Sequence, residues 1–165
     1  MESNGERIGR AFLDHAAVHL EQDLMPKIRS CVELLQEKDV WWREAEVENS
    51  VGNLVLHLAG NVRQWIISGM GGAPDVRERP KEFSDRGSVT KEEALTNLQR
   101  TISEAAAVLR SLSPEEILKD RVIQGFQRTG LQAIFHVVEH FGYHTGQIVF
   151  ITKHREKTDL KFYNL

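Results

Sequence analysis

The chain has one cysteine and four prolines among its 165 residues and no long apolar run, and each shortage narrows what it can be. A single Cys31 excludes a disulfide framework and every all-thiolate zinc site, and it suits a reducing compartment. On an amphipathic stretch it is expected to be a small buried apolar residue rather than a nucleophile. No stretch approaches the ~20 consecutive apolar residues that a bilayer-spanning helix needs, and mean hydropathy is −0.37. The polar, acidic opening from Met1 to Arg7 lacks the basic and then apolar sectors of a secretory signal, so the expected location is the cytoplasm. Charge is not lopsided either: 21 Lys plus Arg stand against 24 Asp plus Glu, a net −3. That balance leaves no basic footprint for a nucleic-acid backbone. Neither nucleic acid nor membrane is an expected partner. The length and a hydrophobic content of 41% suit one domain over 1–165.

What is present is helical periodicity. From about Glu6 to Gln36, Ile8, Phe12, Ala16, Leu20, Leu24, Ile28, Val32 and Leu35 form a continuous apolar stripe, which Pro26 is expected to kink or split. A second helix starts at Asn49 or Ser50 as N-cap, carries Val51, Leu54, Leu58, Val62 and Trp65 on one face, and stops at Gly69. Trp41 and Trp42, ahead of that cap, are expected to plug one end of the core. Residues 69–88 change to a glycine cluster and then a charged run, which predicts a long loop. Thr90 and Glu93 form a capping box for a third helix, and Ser113 to Glu116 form another, with Pro114 at the first helical position. Residues 119–128 are expected to be irregular or extended, with no convincing pair of amphipathic strands. Thr129 to Gln132 open the last helix, to about His154. Four amphipathic helices with a long loop between the second and third predict an all-α four-helix bundle.

Seven histidines are present, and their spacing is informative. His136, His140 and His144 recur every four residues, while His57 sits within the second helix. Residues four apart on an α-helix lie about 6 Å along and about 40° around, within reach of one ion, whereas eight apart means about 12 Å. The run therefore supplies two ligands to one metal, not three. With His140 as the origin of the helical wheel, Ala133 and Ile151 fall about 20° to one side, Val137 about 60° and Ile148 about 80°. His144, about 40° to that same side, points with them toward the core, and His136, about 40° to the opposite side, lies at the polar margin as a pocket-rim residue. His140 and His144 are the better chelating pair. His57 flanks the apolar face of its helix, with Asn53, Asn61 and Gln64 beside it, so a three-histidine site with open positions can form inside the bundle. A lone inward histidine is more often a hydrogen-bonded core residue than a ligand. His15, His19 and His154 are expected at solvated edges.

Other chemistries fail on spacing. No acidic residue stands three before any histidine, so the Glu-x-x-His pairs of di-iron bundles are absent. There is no His-Glu-x-x-His helix. The cluster from Gly69 to Gly72 follows a helix, whereas a phosphate cradle must precede one. Arg77, Arg79 and Arg86 could face the open end of the bundle and grip an anionic substrate, or they form a solvated charged loop.

Trp41-Trp42, the segment from Asn49 to Trp65, the loop segment from Arg77 to Phe83 and the segment from His136 to Gln147 together resemble the DinB-like (DinB/YfiT-like) metalloenzyme superfamily, in an uncharacterised branch of this length. The resemblance spans nearly the whole chain. It implies a four-helix bundle in which His57, His140 and His144 coordinate a divalent metal, commonly nickel or zinc and in some members iron or manganese. It also implies similarity to enzymes that transfer low-molecular-weight thiols to electrophiles, and a homodimer. Tyr143 and Thr145 stand where His and Arg often occur in the family pattern.

The expected function is accordingly a metal-dependent transfer of a small thiol to an electrophilic small molecule, in detoxification or stress response. The ion lowers the thiol pKa. Asn53, Asn61 and Gln147 are expected to orient ligands or water, with His136 at the rim and Arg77 or Arg79 holding a carboxylate. The alternatives are a hydrolase that uses the same ion to activate water, and a non-catalytic dimeric binding bundle.

Overall fold

The first long arm begins at a cap that lies ahead of the expected start. In the computed structural model, which describes residues 3–162, Ser3 and Glu6 form a reciprocal capping box for α1, Asn4–Val18. The ends of the expected 1–165 domain, residues 1, 2 and 163–165, lie outside the described residues. A π-helical turn, His19–Leu24, joins α1 to α2, Met25–Leu34. Pro26 therefore sits in the first turn of α2, where its missing N–H costs least. The arm ends at Leu34 rather than Gln36, and Glu37–Val40 forms a separate turn of helix, α3.

The second arm starts at Ser50, whose hydroxyl accepts from the Asn53 amide while the Asn53 side chain accepts from the Ser50 amide. It comprises α4, Val51–Val62, and a second π-helical turn, Arg63–Ser68, ending before Gly69. The charged run after it is not wholly loop: Arg79–Ser84 is a short helix, α5, with Pro80 in its first turn. A proline costs nothing at that position, which lets a run of charges begin a helix.

The capping box of Thr90 and Glu93 starts α6, Lys91–Ser111, as its sequence predicts. The box expected at Ser113 does not form. Pro114–Leu118 is a 3-10 turn without a side-chain cap, and Glu116 instead bonds Lys119 and Arg121. Residues 119–128 hold a strand pair that periodicity missed: β1, Asp120–Ile123, lies antiparallel to β2, Phe126–Thr129, with Asp120 opposite Thr129. Most of its side chains are exposed, so no apolar alternation marks it. The Thr129 and Gln132 box opens α7, Gly130–Glu156.

The four arms make a helical bundle. α4 packs on α6 and α7, α1 on α6 and α2 on α7. Their stripes meet in one buried cluster that includes Leu13, Leu54, Leu98 and Phe141. Cross-arm caps fix the pairing of α6 with the first arm. Arg10 donates to the carbonyls of Leu109, Arg110 and Leu112 at one end. Lys91 Nζ donates to those of Val32, Glu33 and Leu35 at the other. Trp41 plugs one end as expected: a Cβ on Gly52 would lie 2.6 Å from its ring. Among the described residues no helix is long and apolar enough to cross a membrane.

Candidate metal centre

α4 and α7 run against one another, and three imidazoles meet between them. His57 from α4 and His140 and His144 from α7 each offer one nitrogen, and these atoms all lie within 4.8 Å of one another. His57 Nε2 is 2.8 Å from His140 Nε2. The rings of His140 and His144 are perpendicular, at 89°, with centroids 4.4 Å apart. Within the cluster His57 and His144 are buried and His140 is half-buried.

The far nitrogens of two rings are anchored. His57 Nδ1 lies 2.9 Å from Glu82 Oε2, and His144 Nδ1 lies 2.6 Å from Gln147 Oε1. An imidazole whose Nδ1–H is held by an oxygen presents the lone pair of Nε2 on its other side, which is how metal-binding histidines are usually oriented. Three imidazole nitrogens within reach of one another, with no fourth ligand in the group among the described residues, match the donor set of a divalent cation that keeps open positions. Burial, and then the neighbouring His144, His57, His136 and Arg77, hold the His140 pKa down to about 3. Burial also lowers His144, against the raising effect of its bond to Gln147. These rings are uncharged at neutral pH, as a ligand must be.

Glu82 is the residue that sequence reasoning missed. It is buried beneath the loop, 8% exposed, and a Cβ on Gly60 would overlap its Oε1. Burial pushes its carboxyl up, but the bonds from Arg77 and His57 outweigh burial and hold it below the usual range. A glycine inside a helix and a proline in a charged run were the available signals, one for a close approach and one for a short helix. Nothing local says that Glu82 turns inward.

The other expected residues are dispersed around the cluster. Asn53 Nδ2 donates to the carbonyls of Glu82 and Asp85 at 2.9 and 3.0 Å, so its side chain pins the loop to α4. Asn61 is buried with no partner for its Oδ1 among the described residues. His136 stacks on His140, with ring centroids 5.4 Å apart, and lies tilted against Trp65 at 4.5 Å. Arg77 is paired with a buried carboxylate rather than solvated. Its guanidinium is spent on both Glu82 oxygens, at 2.7 and 2.8 Å, and on Gln64 Oε1, at 2.9 Å. Arg79 is exposed and lies over the Phe83 ring, which in turn covers His57 at 4.7 Å. His15 and His154 are exposed and His19 is half-buried; Cys31 is fully buried. A groove of about 700 Å³ runs along the outer face of α7 past Trp42, Tyr143 and Phe150, and its lining includes Gln147, the partner of His144.

Residues 7–165 match a family described as a protein of unknown function, DUF1572. The chain belongs to this family. The DUF1572 chain is also similar in fold to a DinB-like protein from Bacillus subtilis, YjoA, with a TM-score of 0.68 at 17% identity, over 91% of this chain and 98% of that one. A DinB-like protein from Bacillus cereus superposes with a TM-score of 0.65 at 12% identity, over 80% of this chain and 85% of that one. The fold of this DUF1572 protein is therefore DinB-like, and its three-histidine cluster is compatible with a metal-binding protein. No curated protein matches it.

Proposed function

We propose that this protein is a cytoplasmic, metal-dependent enzyme of one domain that transfers a low-molecular-weight thiol to an electrophilic small molecule. His57, His140 and His144 would hold a divalent cation, nickel or zinc before iron or manganese. The observation that carries this reading is the convergence of three imidazole nitrogens within 4.8 Å of one another, two of the rings being anchored from behind by Glu82 and Gln147. When bound, such a cation supplies Lewis acidity that brings a thiol toward its thiolate form near neutral pH.

The chain's own residues divide the remaining work. Phe83 covers His57 and excludes water from that side. Asn61, buried with an unpartnered oxygen, accepts a hydrogen bond from a polar group of the substrate. Of the two expected arginines, exposed Arg79 would meet a substrate carboxylate, a reading supported by the commitment of Arg77 to Glu82. Two copies pair through the outer face of α7, where Leu131, Phe135, Tyr143 and Phe150 are exposed. Gly142 and Gly146 leave open space among them.

Elemental analysis of protein purified without a histidine tag tests the centre. His57→Ala, His140→Ala and His144→Ala are each expected to lose stoichiometric metal, and His136→Ala to retain it. Equal loss from all four, or no metal in the parent protein, overturns the reading. Assays of the loaded protein with small thiols and electrophiles, beside esters and amides, then separate thiol transfer from hydrolysis.

A further inference from the structure

His57 Nδ1 has two polar neighbours that make opposite demands on it. Glu82 Oε2, at 2.9 Å, is an ionised carboxylate oxygen and can only accept. Arg77 Nη2, at 3.1 Å, can only donate. Two self-consistent proton arrangements follow. In one, Nδ1–H donates to Glu82 and Nε2 turns a lone pair toward His140 and His144. In the other, Nδ1 accepts from Arg77 and the proton sits on Nε2, 2.8 Å from His140 Nε2, where it blocks coordination.

The geometry selects the first. Arg77 Nη2 already has Glu82 Oε2 at 2.8 Å, a shorter and charge-assisted bond. With the proton on Nε2, by contrast, an imidazole lone pair would face a carboxylate oxygen at 2.9 Å inside the bundle. The seat of the carboxylate is built into α4. Gly60 has no Cβ where one would overlap Glu82 Oε1, and Asn53 holds the carbonyls of Glu82 and Asp85 to the same helix.

We propose that Glu82, seated on Gly60 and held by Arg77, is a positioning residue that fixes the His57 proton on Nδ1 and so keeps Nε2 open toward His140 and His144. Its consequence for metal binding rests on the three-histidine reading; the tautomer itself does not. Glu82 and Arg77 act as opposed levers on one imidazole. Removing Glu82 alone hands Nδ1 to Arg77 and locks the wrong tautomer, while removing both frees the ring to adopt either.

The test has two arms. In metal-free protein with 15N-labelled histidine, long-range 1H–15N correlation spectra report which His57 nitrogen carries the proton. The parent protein and Arg77→Met are expected to carry it on Nδ1. Glu82→Ala is expected to move it to Nε2. Glu82→Gln, whose amide oxygen can still accept as that of Gln147 does at His144, is expected to leave it on Nδ1, and Gly60→Ala, which keeps the carboxylate but displaces it, to move it in part. In the second arm zinc affinity is read by competition with a chromogenic chelator. Glu82→Ala is expected to weaken zinc binding on the order of 10–100-fold, and Arg77→Met/Glu82→Ala to recover a substantial part of that loss. A simple packing defect predicts the reverse, since the double variant removes more contacts. A parent His57 protonated on Nε2, an unmoved tautomer in a folded Glu82→Ala protein, or a double variant that binds zinc no better than Glu82→Ala overturns the proposal. A parent with the Nδ1 proton but no zinc binding overturns the metal reading and leaves the positioning role standing.

Discussion

Gln147 Oε1 lies 2.6 Å from His144 Nδ1, one turn further along the same helix. The pair is local to α7, so the orientation of this ring is set by a single side chain, whereas that of His57 depends on a loop folded back from another part of the chain. Gln147→Ala is expected to leave the helical circular-dichroism spectrum unchanged and to weaken divalent-metal binding on the order of 10–100-fold in a chelator competition. An unchanged affinity would mean that packing alone orients His144.

Gly52 faces the Trp41 ring, and a Cβ there would sit 2.6 Å from it. The ring is half-buried and wedged against α4, so it has little room to withdraw. Gly52→Ala is expected to destabilise the protein by about 1–3 kcal/mol in urea unfolding, despite the better helix propensity of alanine. A gain in stability would show that Trp41 can move aside.

Phe150 is 72% exposed and Tyr143 is 64% exposed on the face of α7 assigned above to a second copy. Phe150→Arg is expected to convert dimers to monomers in sedimentation velocity with little change in unfolding midpoint at high dilution. A parent protein that sediments as a monomer at all concentrations removes the pairing.

Burial raises the pKa of the Cys31 thiol, against a smaller lowering effect of Thr152. Because the folded value lies above the unfolded one, the unfolded chain loses the proton first. The contribution to stability is thus full below about pH 8.5 and is lost as pH rises through the folded pKa. Native protein at about pH 8.5 is expected to resist iodoacetamide, and protein in urea to react within minutes. Rapid alkylation of the native state would show that α2 opens locally.

Much of this was legible in residues that act on their immediate neighbours. Ser50, Thr90 and Thr129 each pair with a residue three positions on, so the starts of α4, α6 and α7 could be read without tertiary information. Ring placement on a wheel is similarly local, and it put His57, His140 and His144 on the inner side of their helices. Glu82 was not legible, because a carboxylate in a charged run carries no mark of its buried partners. The hairpin of β1 and β2 escaped for a related reason: its strands are held by their own ladder and expose most of their side chains, so no period of two is written into them. The pairing of Arg77 with Glu82 was not legible either, because an arginine is drawn to whichever carboxylate is desolvated nearby, and that carboxylate was unknown.

The first arm ends at Leu34 with neither glycine nor proline at the stop. Its last carbonyls are met instead by the ammonium group of Lys91, more than fifty positions downstream. The punctuation of the opening arm is thus a message carried by a different stretch of polypeptide and delivered only once the two have met. A fragment cut between them would lose its full stop while keeping every letter of the sentence, and its helix would fray or overrun where the intact molecule turns.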